Sequence, residues 1–386
     1  MKRREFLQAS AAAGVAILAP RFAAAQSALP EGYSRLLVLV ELKGGNDGLN
    51  TVVPYADQAY YGLRPRIGIR RDDVLQLDGR TGLHPSLAPL MPLWQARELA
   101  VVQGVGYPSP NLSHFRSIEI WDTASRAEEY LSDGWLARAF AAAPVPKKFA
   151  ADGVVVGASE LGPLAGGGAR AVALANTEQF LRQAKLAQPV QAQGNRALVH
   201  LLKVEADVVQ AAAGLNGNRD FRTQFPQGPF GNAVRTAAQV VASDAGVAAV
   251  RITLNGFDTH QNQPGTHANL LRQLAEGLVA LRAALQELGR WDSTLVVTYA
   301  EFGRRAQENG SNGTDHGTAN AHFALGGRVK GGLYGEAPRL DRLEHGNLVH
   351  AVDFRSVYAT VLERWWGVPA TGPLGGRFAA LDLVKV

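Results

Sequence analysis

The sequence has no cysteine among its 386 residues. Disulfide bonds, thiolate metal ligands and a cysteine nucleophile are therefore excluded. The chain also lacks a G-x-G-x-x-G fingerprint, a phosphate-binding loop and a G-x-S-x-G elbow. These absences argue against a dinucleotide enzyme, a P-loop protein and an α/β-hydrolase. With no haem motif either, nothing in the sequence supports a redox role.

No long apolar run occurs near the start of the chain. The stretch 9–19 is Ala-rich and mildly apolar, but it is shorter than the ~20 residues of a membrane span. It follows K-R-R-E-F-L at residues 2–7, a twin-arginine pattern, and precedes three alanines at 23–25. These features predict a signal peptide over 1–25, with the twin-arginine translocase as export partner and a periplasmic or extracellular location. An ordinary secretory signal and a disordered tail are the alternatives.

A strong charge imbalance is also missing. The formal net charge is +5, and residues 1–25 contribute +3 of it, so the rest of the chain stands near +2. This is too small an excess to indicate a nucleic-acid partner.

Apolar, β-branched runs alternate with segments of helical periodicity along the remaining chain. This alternation predicts an α/β fold, with a doubly wound, mostly parallel sheet and helices on both faces, in a single domain over 26–386. Strands are predicted at 35–42, 99–105, 153–157, 170–174, 247–254, 294–299, 322–325 and 332–334. Helices are predicted at 86–98, 113–124, 134–143, 178–187, 196–213, 232–245, 267–288 and 354–366.

Polar residues follow four of the predicted strands. In an open α/β sheet, ligands bind beyond the carboxyl ends of the strands, which share one edge. Carboxylates and imidazoles gathered there are ligands for Zn²⁺, Mn²⁺, Mg²⁺ or Ca²⁺, and two such ions ~4 Å apart can clamp a phosphoryl or sulfuryl group. The four groups are Asp47; Ser109, Ser113 and His114; Asp258 and His260; and Glu301 with Asp315, His316 and His322.

Each of these residues also has a simpler structural interpretation, which the residues alone leave open. The alternatives are a turn at Asp47, a helix cap at Ser113, a loop hydrogen-bond network at Asp258–His260, an ion pair of Glu301 with Arg304 or Arg305, and a solvated loop at Asp315–His316.

A set of ordered motifs resembles an exported bacterial family of unknown function that is described as sulfatase-like. The resemblance covers essentially the whole chain after the signal. That family is in turn similar to the alkaline phosphatase superfamily, which implies an alkaline-phosphatase-like core and a one- or two-metal hydrolase site. The motifs are LVLVELKGGNDGLNTVVPY at 37–55, GVGYPSPNLSHFRSIEIWDTA at 104–124, GFDTHQNQ at 256–263, AEFGRR at 300–305, GTDHGTANAHFALGG at 313–327 and VKGGLYG at 329–335.

The resemblance implies a role for each matching position. The sequence departs from the superfamily pattern at two places: the middle ligand pair is D-x-H instead of D-x-x-x-H, and Phe302 occupies a position where a histidine ligand is expected. The matching positions are Asp47 for the first-strand metal ligand, Ser113 or else Ser109 for the nucleophile, Asp258 and His260 for a ligand pair, Glu301 for a strand-end ligand, and His316 or His322 for the last histidine.

We therefore expect an exported, metal-dependent hydrolase that acts on phosphate or sulfate esters of a small molecule or glycan. Ser113 would attack, His114 would orient it or act as general acid, and Arg116 would stabilise the developing charge. The metal ligands would come from Asp47, Asp258, His260, Glu301, Asp315, His316 and His322. The alternative is a non-catalytic exported binding or assembly protein with a decayed metal site, which the two departures motivate.

Overall fold

The computed structural model describes residues 32–174, 219–243 and 246–385. The predicted signal peptide and the predicted helices at 178–187 and 196–213 lie outside these ranges. Within them, no helix is both long enough and apolar enough to cross a membrane.

A nine-stranded, mostly parallel sheet forms the centre of the described chain. In chain order its strands are β1 Leu36–Lys43, β2 Leu99–Gly106, β3 Ala151–Val156, β4 Ala171–Leu174, β5 Val247–Asn255, β6 Thr294–Tyr299, β7 Asn320–Leu325, β8 Gly332–Gly335 and β9 Val352–Asp353. They lie side by side in the order β8-β2-β7-β6-β1-β5-β3-β4, and β9 also pairs with β2. Among these strands, only β7 runs opposite to its neighbours β2 and β6.

Helices cover both faces of this sheet, as the alternating pattern predicts. Successive side chains of a strand point to opposite faces, and in β1 Val38 and Val40 belong to one core cluster while Leu37 and Leu39 belong to the other. The first cluster includes leucines of the long helix Gln263–Glu287. The other α-helices of the described chain are Gly48–Thr51, Gln58–Leu63, Met91–Gln95, His114–Thr123, Trp135–Ala142, Pro229–Ala242 and Phe354–Ala359, which continues as a π-helix over Thr360–Trp366.

Several short elements were not predicted from the sequence. Val52–Val53, Leu75–Gln76 and Gly82–Leu83 form a small three-stranded sheet. Leu343–Glu344 and Asn347–Leu348 form a hairpin. Two-residue strands carry too few residues for a periodicity to be recognised. The predicted fold class is confirmed by the strand pairing, whereas the antiparallel direction of β7 and the short strand β9 are features of the main sheet that the sequence did not indicate.

Candidate functional site

Four strands deliver the candidate residues to one edge of the sheet. The parallel strands β1, β2, β5 and β6 all end there. Asp258 and His260 follow β5, Glu301 follows β6, and His114 begins the helix after β2. His316 lies in the loop that leads from β6 into β7. The sequence placed these residues at a common edge, and the structure brings them into contact.

The carboxylate of Asp258 is the meeting point of three imidazole rings. Its Oδ1 lies 2.9 Å from Nε2 of His260 and 3.2 Å from Nε2 of His316. Its Oδ2 lies 3.4 Å from Nε2 of His114. The Nε2 atoms of His260 and His316 are themselves 3.0 Å apart. We call these four side chains, His114, Asp258, His260 and His316, the Asp258 cluster.

The other nitrogen of each ring faces an oxygen. Nδ1 of His114 lies 2.8 Å from Oε1 of Glu301, and Nδ1 of His316 lies 2.8 Å from the carbonyl oxygen of Leu112. Nδ1 of His260 lies 3.4 Å from Oδ1 of Asp315. A carbonyl or carboxylate oxygen accepts a hydrogen bond, so each neutral ring carries its proton on Nδ1. The Nε2 lone pairs are then left to converge on the cluster centre.

This donor set fits a divalent metal ion. Ligand atoms of His114, Asp258 and His316 lie within 4.8 Å of one another, and His260 adds a fourth donor beside them. Three lone pairs and a carboxylate repel one another unless a proton or cation lies between them. Metal-bound histidines characteristically donate their other N–H to a carboxylate or carbonyl. Nitrogen-rich sets favour Zn²⁺ and similar ions over Mg²⁺ and Ca²⁺, which prefer oxygen.

The surroundings keep the carboxylate charged. Partial burial by itself raises the pKa of Asp258, but the hydrogen bond and the charge of Arg304, together with the neighbouring imidazoles, outweigh it and lower the pKa to about 2. Burial lowers the pKa of His316, so its neutral form is favoured. The hydrogen bond to Glu301 is the main reason why the pKa of His114 is raised.

Arg304 ties the loops of the cluster together. Its buried guanidinium donates to Asp258 Oδ1 at 2.7 Å and to backbone carbonyls of Gly45, Phe257 and Thr314 at 2.7–3.0 Å. The alternative interpretation from the sequence was an ion pair of Glu301 with Arg304 or Arg305. That interpretation is wrong, because Glu301 Oε1 accepts from the Gly44 N–H and lies against His114.

Gly44 explains part of the glycine-rich motif after β1. Its φ is +113°, and a Cβ there would lie 2.5 Å from the backbone nitrogen of Asp258. Glycine is therefore required for the loop after β1 to pack against the backbone that carries the cluster carboxylate.

Asp47 does not reach the Asp258 cluster. It is 1% exposed, and its Oδ2 accepts a hydrogen bond from Arg64 Nη1 at 2.6 Å and another from Gln263 Nε2 at 2.5 Å. It also caps the short helix Gly48–Thr51. Its carboxylate is thus occupied by a buried cation, and the turn-holding interpretation describes its position.

His322 is also kept away from the cluster. It lies within β7, is 2% exposed, and its ring packs edge-on against Trp121. Neither ring nitrogen has a hydrogen-bond partner among the described residues. Burial lowers the pKa of His322 to about 3.

This burial predicts a pH dependence of stability. The unfolded chain protonates His322 near pH 6.5, whereas the folded chain resists protonation down to about pH 3. The stabilisation of the folded chain that comes from a neutral His322 is thus fully present above pH 6.5. It is lost as the pH falls towards 3, because protonation of His322 favours the unfolded chain. Between pH 7 and 4.5, we expect wild type to lose roughly 2–3 kcal/mol more unfolding free energy than His322→Leu. Urea unfolding in EDTA, followed by tryptophan fluorescence, measures the difference; equal losses in both proteins would contradict it.

The three residues assigned to catalysis have different surroundings. Ser113 is exposed at the start of the helix His114–Thr123, and its side chain makes no capping hydrogen bond. His114 belongs to the cluster as a possible ligand, a role that the sequence reasoning missed although its position after β2 could have indicated it. Arg116 is turned away: its guanidinium donates to the carbonyls of Ala127 and Glu129 and stacks on the Tyr130 ring.

Phe302 and Asp315 support the cluster from outside. The Phe302 ring centroid lies 4.8 Å from that of His114 and 4.5 Å from that of His316. It therefore packs against two of the imidazoles where a ligand was expected. Asp315 contacts the outer nitrogen of His260 and accepts from Asn309. The hydrogen bond from Asn309 is the main reason why the pKa of Asp315 is lowered.

Comparison with solved structures finds similar proteins at low sequence identity. One is the PsFucS1 sulfatase from Pseudoalteromonas sp., with 12% identity, 90% of this chain and 70% of that chain covered, and a TM-score of 0.43. Another is the C-terminal periplasmic domain of EcEptC from Escherichia coli in complex with Zn, with 10% identity, 77% and 73% covered, and a TM-score of 0.36. A third is the lipoteichoic acid synthase LtaP from Listeria monocytogenes, with 9% identity, 90% and 76% covered, and a TM-score of 0.38.

Comparison with curated protein sequences finds no match. Comparison with protein families finds one whose pattern extends over residues 75–367, which is more than half of the chain. This range contains the whole Asp258 cluster as well as Glu301, Asp315 and Arg304. The chain therefore belongs to the family described as "Protein of unknown function (DUF1501)".

Proposed function

We propose that this protein is an exported, metal-dependent hydrolase of phosphate or sulfate esters. The observation that carries the proposal is the convergence of three imidazole Nε2 atoms on Asp258, with each Nδ1 held by an oxygen. His114, Asp258, His260 and His316 would hold one divalent ion, with Zn²⁺ or Mn²⁺ favoured by the nitrogen donors. Glu301, Asp315 and the Leu112 carbonyl would fix the rings.

A helix N-terminus beside the cluster supports an anionic substrate. The helix His114–Thr123 begins directly after Ser113, whose side chain does not cap the first N–H groups of the helix. Free N–H groups at a helix start attract phosphate-like anions. An ester group bound there would lie next to both the Ser113 hydroxyl and the His114 ring. The arrangement suits a tetrahedral anion that is attacked by a neighbouring hydroxyl.

The residues of the chain would divide the work as follows. The bound ion would act as a Lewis acid on an oxygen of the ester group. Ser113 Oγ, which is exposed and not engaged by a cap, would lose its proton to solvent and attack the phosphorus or sulfur atom, and the bond to the alcohol oxygen would break. The alcohol would leave after taking up a proton, and water would then hydrolyse the seryl ester to release phosphate or sulfate and restore Ser113. The backbone N–H groups at the start of the helix would stabilise the charge that develops on the other oxygens. Arg304 and Glu301 would hold Asp258 and His114 in place throughout.

We also propose that residues 1–25 direct export through the twin-arginine translocase, leaving 26–386 as the mature chain in the periplasm or outside the cell. The twin-arginine pattern at residues 2–7 supports this route. Export by this route occurs after folding, which would allow the cluster to bind its ion first.

Metal analysis combined with ester hydrolysis tests the proposal. We expect the mature protein, purified without chelator, to contain about one equivalent of a divalent transition metal and to hydrolyse 4-nitrophenyl phosphate or 4-nitrophenyl sulfate. Ser113→Ala should keep the metal and lower kcat by roughly 10³-fold or more. Ser132→Ala, another exposed serine away from the cluster, is the matched control and should resemble wild type.

Two outcomes would oppose the proposal. A folded wild-type protein that contains no metal, takes up none and hydrolyses neither ester would support the alternative, a non-catalytic exported binding protein. Full activity in Ser113→Ala would reject the nucleophile, and a matching loss in Ser109→Ala would transfer that role to the second serine of the same loop.

A further inference from the structure

Two neighbouring cavities are lined in part by the end of β2 and by the loop that leads from β2 to His114. The cavity nearer to the Asp258 cluster has a volume of about 450 Å³ and is lined in part by Leu112 and Asn347. The farther cavity has a volume of about 290 Å³ and is lined in part by Gln103. Ligand pockets in proteins typically measure about 300–1,000 Å³. Both cavities thus have room for a small organic group.

The cavities share a wall, and the nearer one is lined by a residue that contacts the cluster. Ala319 and the segment 348–350 line both. Leu112 lines the nearer cavity, and its carbonyl accepts the Nδ1–H of His316 at 2.8 Å. A molecule with its ester group at the cluster could therefore extend into the nearer cavity and then along the shared wall into the farther one. We call the two cavities together the side groove.

Two buried amide side chains in the side groove have an unused acceptor. Gln103 is 5% exposed and Asn347 is 8% exposed, and their side-chain oxygens have no donor among the described residues. The amide nitrogen of Asn347 faces the carbonyl of His345 at 3.4 Å, which fixes which end is the oxygen. An unpaired buried acceptor is costly, and the last torsion of an amide is soft. The two oxygens have almost no exposed surface as they stand, so a hydroxyl or amine in the groove can supply the missing donor once the amide has turned towards it.

The charges of the groove narrow the class of ligand. The nearer cavity is lined by hydroxyl, amide, imidazole and apolar groups, with Glu344 as its acid and no lysine or arginine. The farther cavity has charges of both signs, because Glu336 and Arg342 line it together with Arg339, which is paired with Asp341. A group with further phosphates, sulfates or carboxylates is therefore not favoured next to the cluster. Val349, which is 41% exposed, gives the shared wall an apolar surface. Hydroxyl donors on a ring with apolar faces match both properties.

We propose that the side groove binds the alcohol part of the ester, and that this alcohol is a neutral polyhydroxy compound of the carbohydrate class. The orphaned oxygens of Asn347 and Gln103 accept from its hydroxyl groups, and Val349 packs against a ring face. The assignment of this group as the leaving alcohol rests on the proposed hydrolase function. The binding of the carbohydrate itself does not.

Ligand-observed NMR tests the groove directly. The probes are D-glucose, D-galactose, D-mannose and N-acetyl-D-glucosamine, each as the free sugar and as its methyl glycoside, with cyclohexanol as the apolar control. We expect saturable binding of at least one sugar and none of cyclohexanol. Asn347→Leu should weaken the binding about 5- to 10-fold, the loss of one hydrogen bond. Val349→Trp, at an exposed position that does not threaten folding, should weaken it at least as much by filling the shared wall.

The outcomes separate the groove from the hydrolase proposal, because metal content and aryl-ester turnover are measured on the same samples. The groove is rejected if no sugar binds saturably, if cyclohexanol binds as well, or if both variants bind sugar as wild type does. Metal and turnover without sugar binding would reject only the groove. Sugar binding that both variants weaken, in a protein without metal or turnover, would reject only the hydrolase.

Discussion

Asp258→Asn should weaken metal binding by at least about 100-fold and lower ester hydrolysis by about 10³-fold. The carboxylate of Asp258 contacts the Nε2 atoms of three histidines and accepts a hydrogen bond from Arg304. The amide keeps the shape but removes the charge, so both the ion and Arg304 lose their counter-ion. Competition with a chelator of known affinity measures the metal affinity, and circular dichroism verifies the fold.

Two further carboxylates provide graded controls for this experiment. Glu301→Gln removes the charge of the carboxylate that contacts His114 Nδ1 and the Gly44 N–H, and we expect a 10–100-fold loss of affinity. Asp315→Asn should have the smallest effect, because the carboxylate is exposed and lies 3.4 Å from His260 Nδ1. Equal metal affinity in wild type and Asp258→Asn would contradict the proposed metal site. A larger loss of affinity in Asp315→Asn than in Asp258→Asn would show that the ion binds nearer to Asp315.

The edge of the sheet that carries the site could be predicted from the sequence. Strands β1, β2, β5 and β6 are apolar and β-branched, and the polar residues begin where each run stops. Strand direction then follows from the alternation with helices. For these reasons Asp258, His260 and His316 were predicted at a common edge, and the structure places them in contact.

The choice among neighbouring candidates could not be predicted, because it depends on partners that are remote in the sequence. Asp47 is turned away by Arg64, 17 residues later, and by Gln263, 216 residues later. His322 does not reach the Asp258 cluster, because it lies within β7 and its ring packs against Trp121. Arg116 donates hydrogen bonds to backbone carbonyls of the loop that follows its helix. No local pattern encodes these contacts.

His114 is a candidate whose surroundings the sequence did not show. Its place directly after Ser113 suggested a proton-transfer role, yet its ring is held by Glu301 and faces Asp258. The sequence contains both residues, but their contact joins segments 187 residues apart. The distinction between a ligand and a general acid therefore required the three-dimensional contact.

A buried network connects Asp47 to the cluster although Asp47 does not belong to it. Gln263, which is fully buried, donates to Asp47 and accepts from Thr259 Oγ1 at 3.0 Å and from Thr314 Oγ1 at 2.7 Å. Thr259 lies between Asp258 and His260, and Thr314 lies two residues before His316. Gln263 thereby holds together the two loops that carry most of the cluster, and Asp47 holds Gln263.

We expect Asp47→Ala to lower the free energy of unfolding by about 3–5 kcal/mol, because it leaves the fully buried Arg64 without its counter-ion. The loosened Gln263 should also reduce metal affinity, about 10-fold, as expected for an indirect partner. Urea unfolding and chelator competition measure the two effects. Asp341→Ala, which removes the acid of an exposed pair with Arg339, is the matched control and should change little. Lost metal binding at unchanged stability would instead show that Asp47 acts as a ligand, and unchanged stability with unchanged metal affinity would show that the buried pair is dispensable.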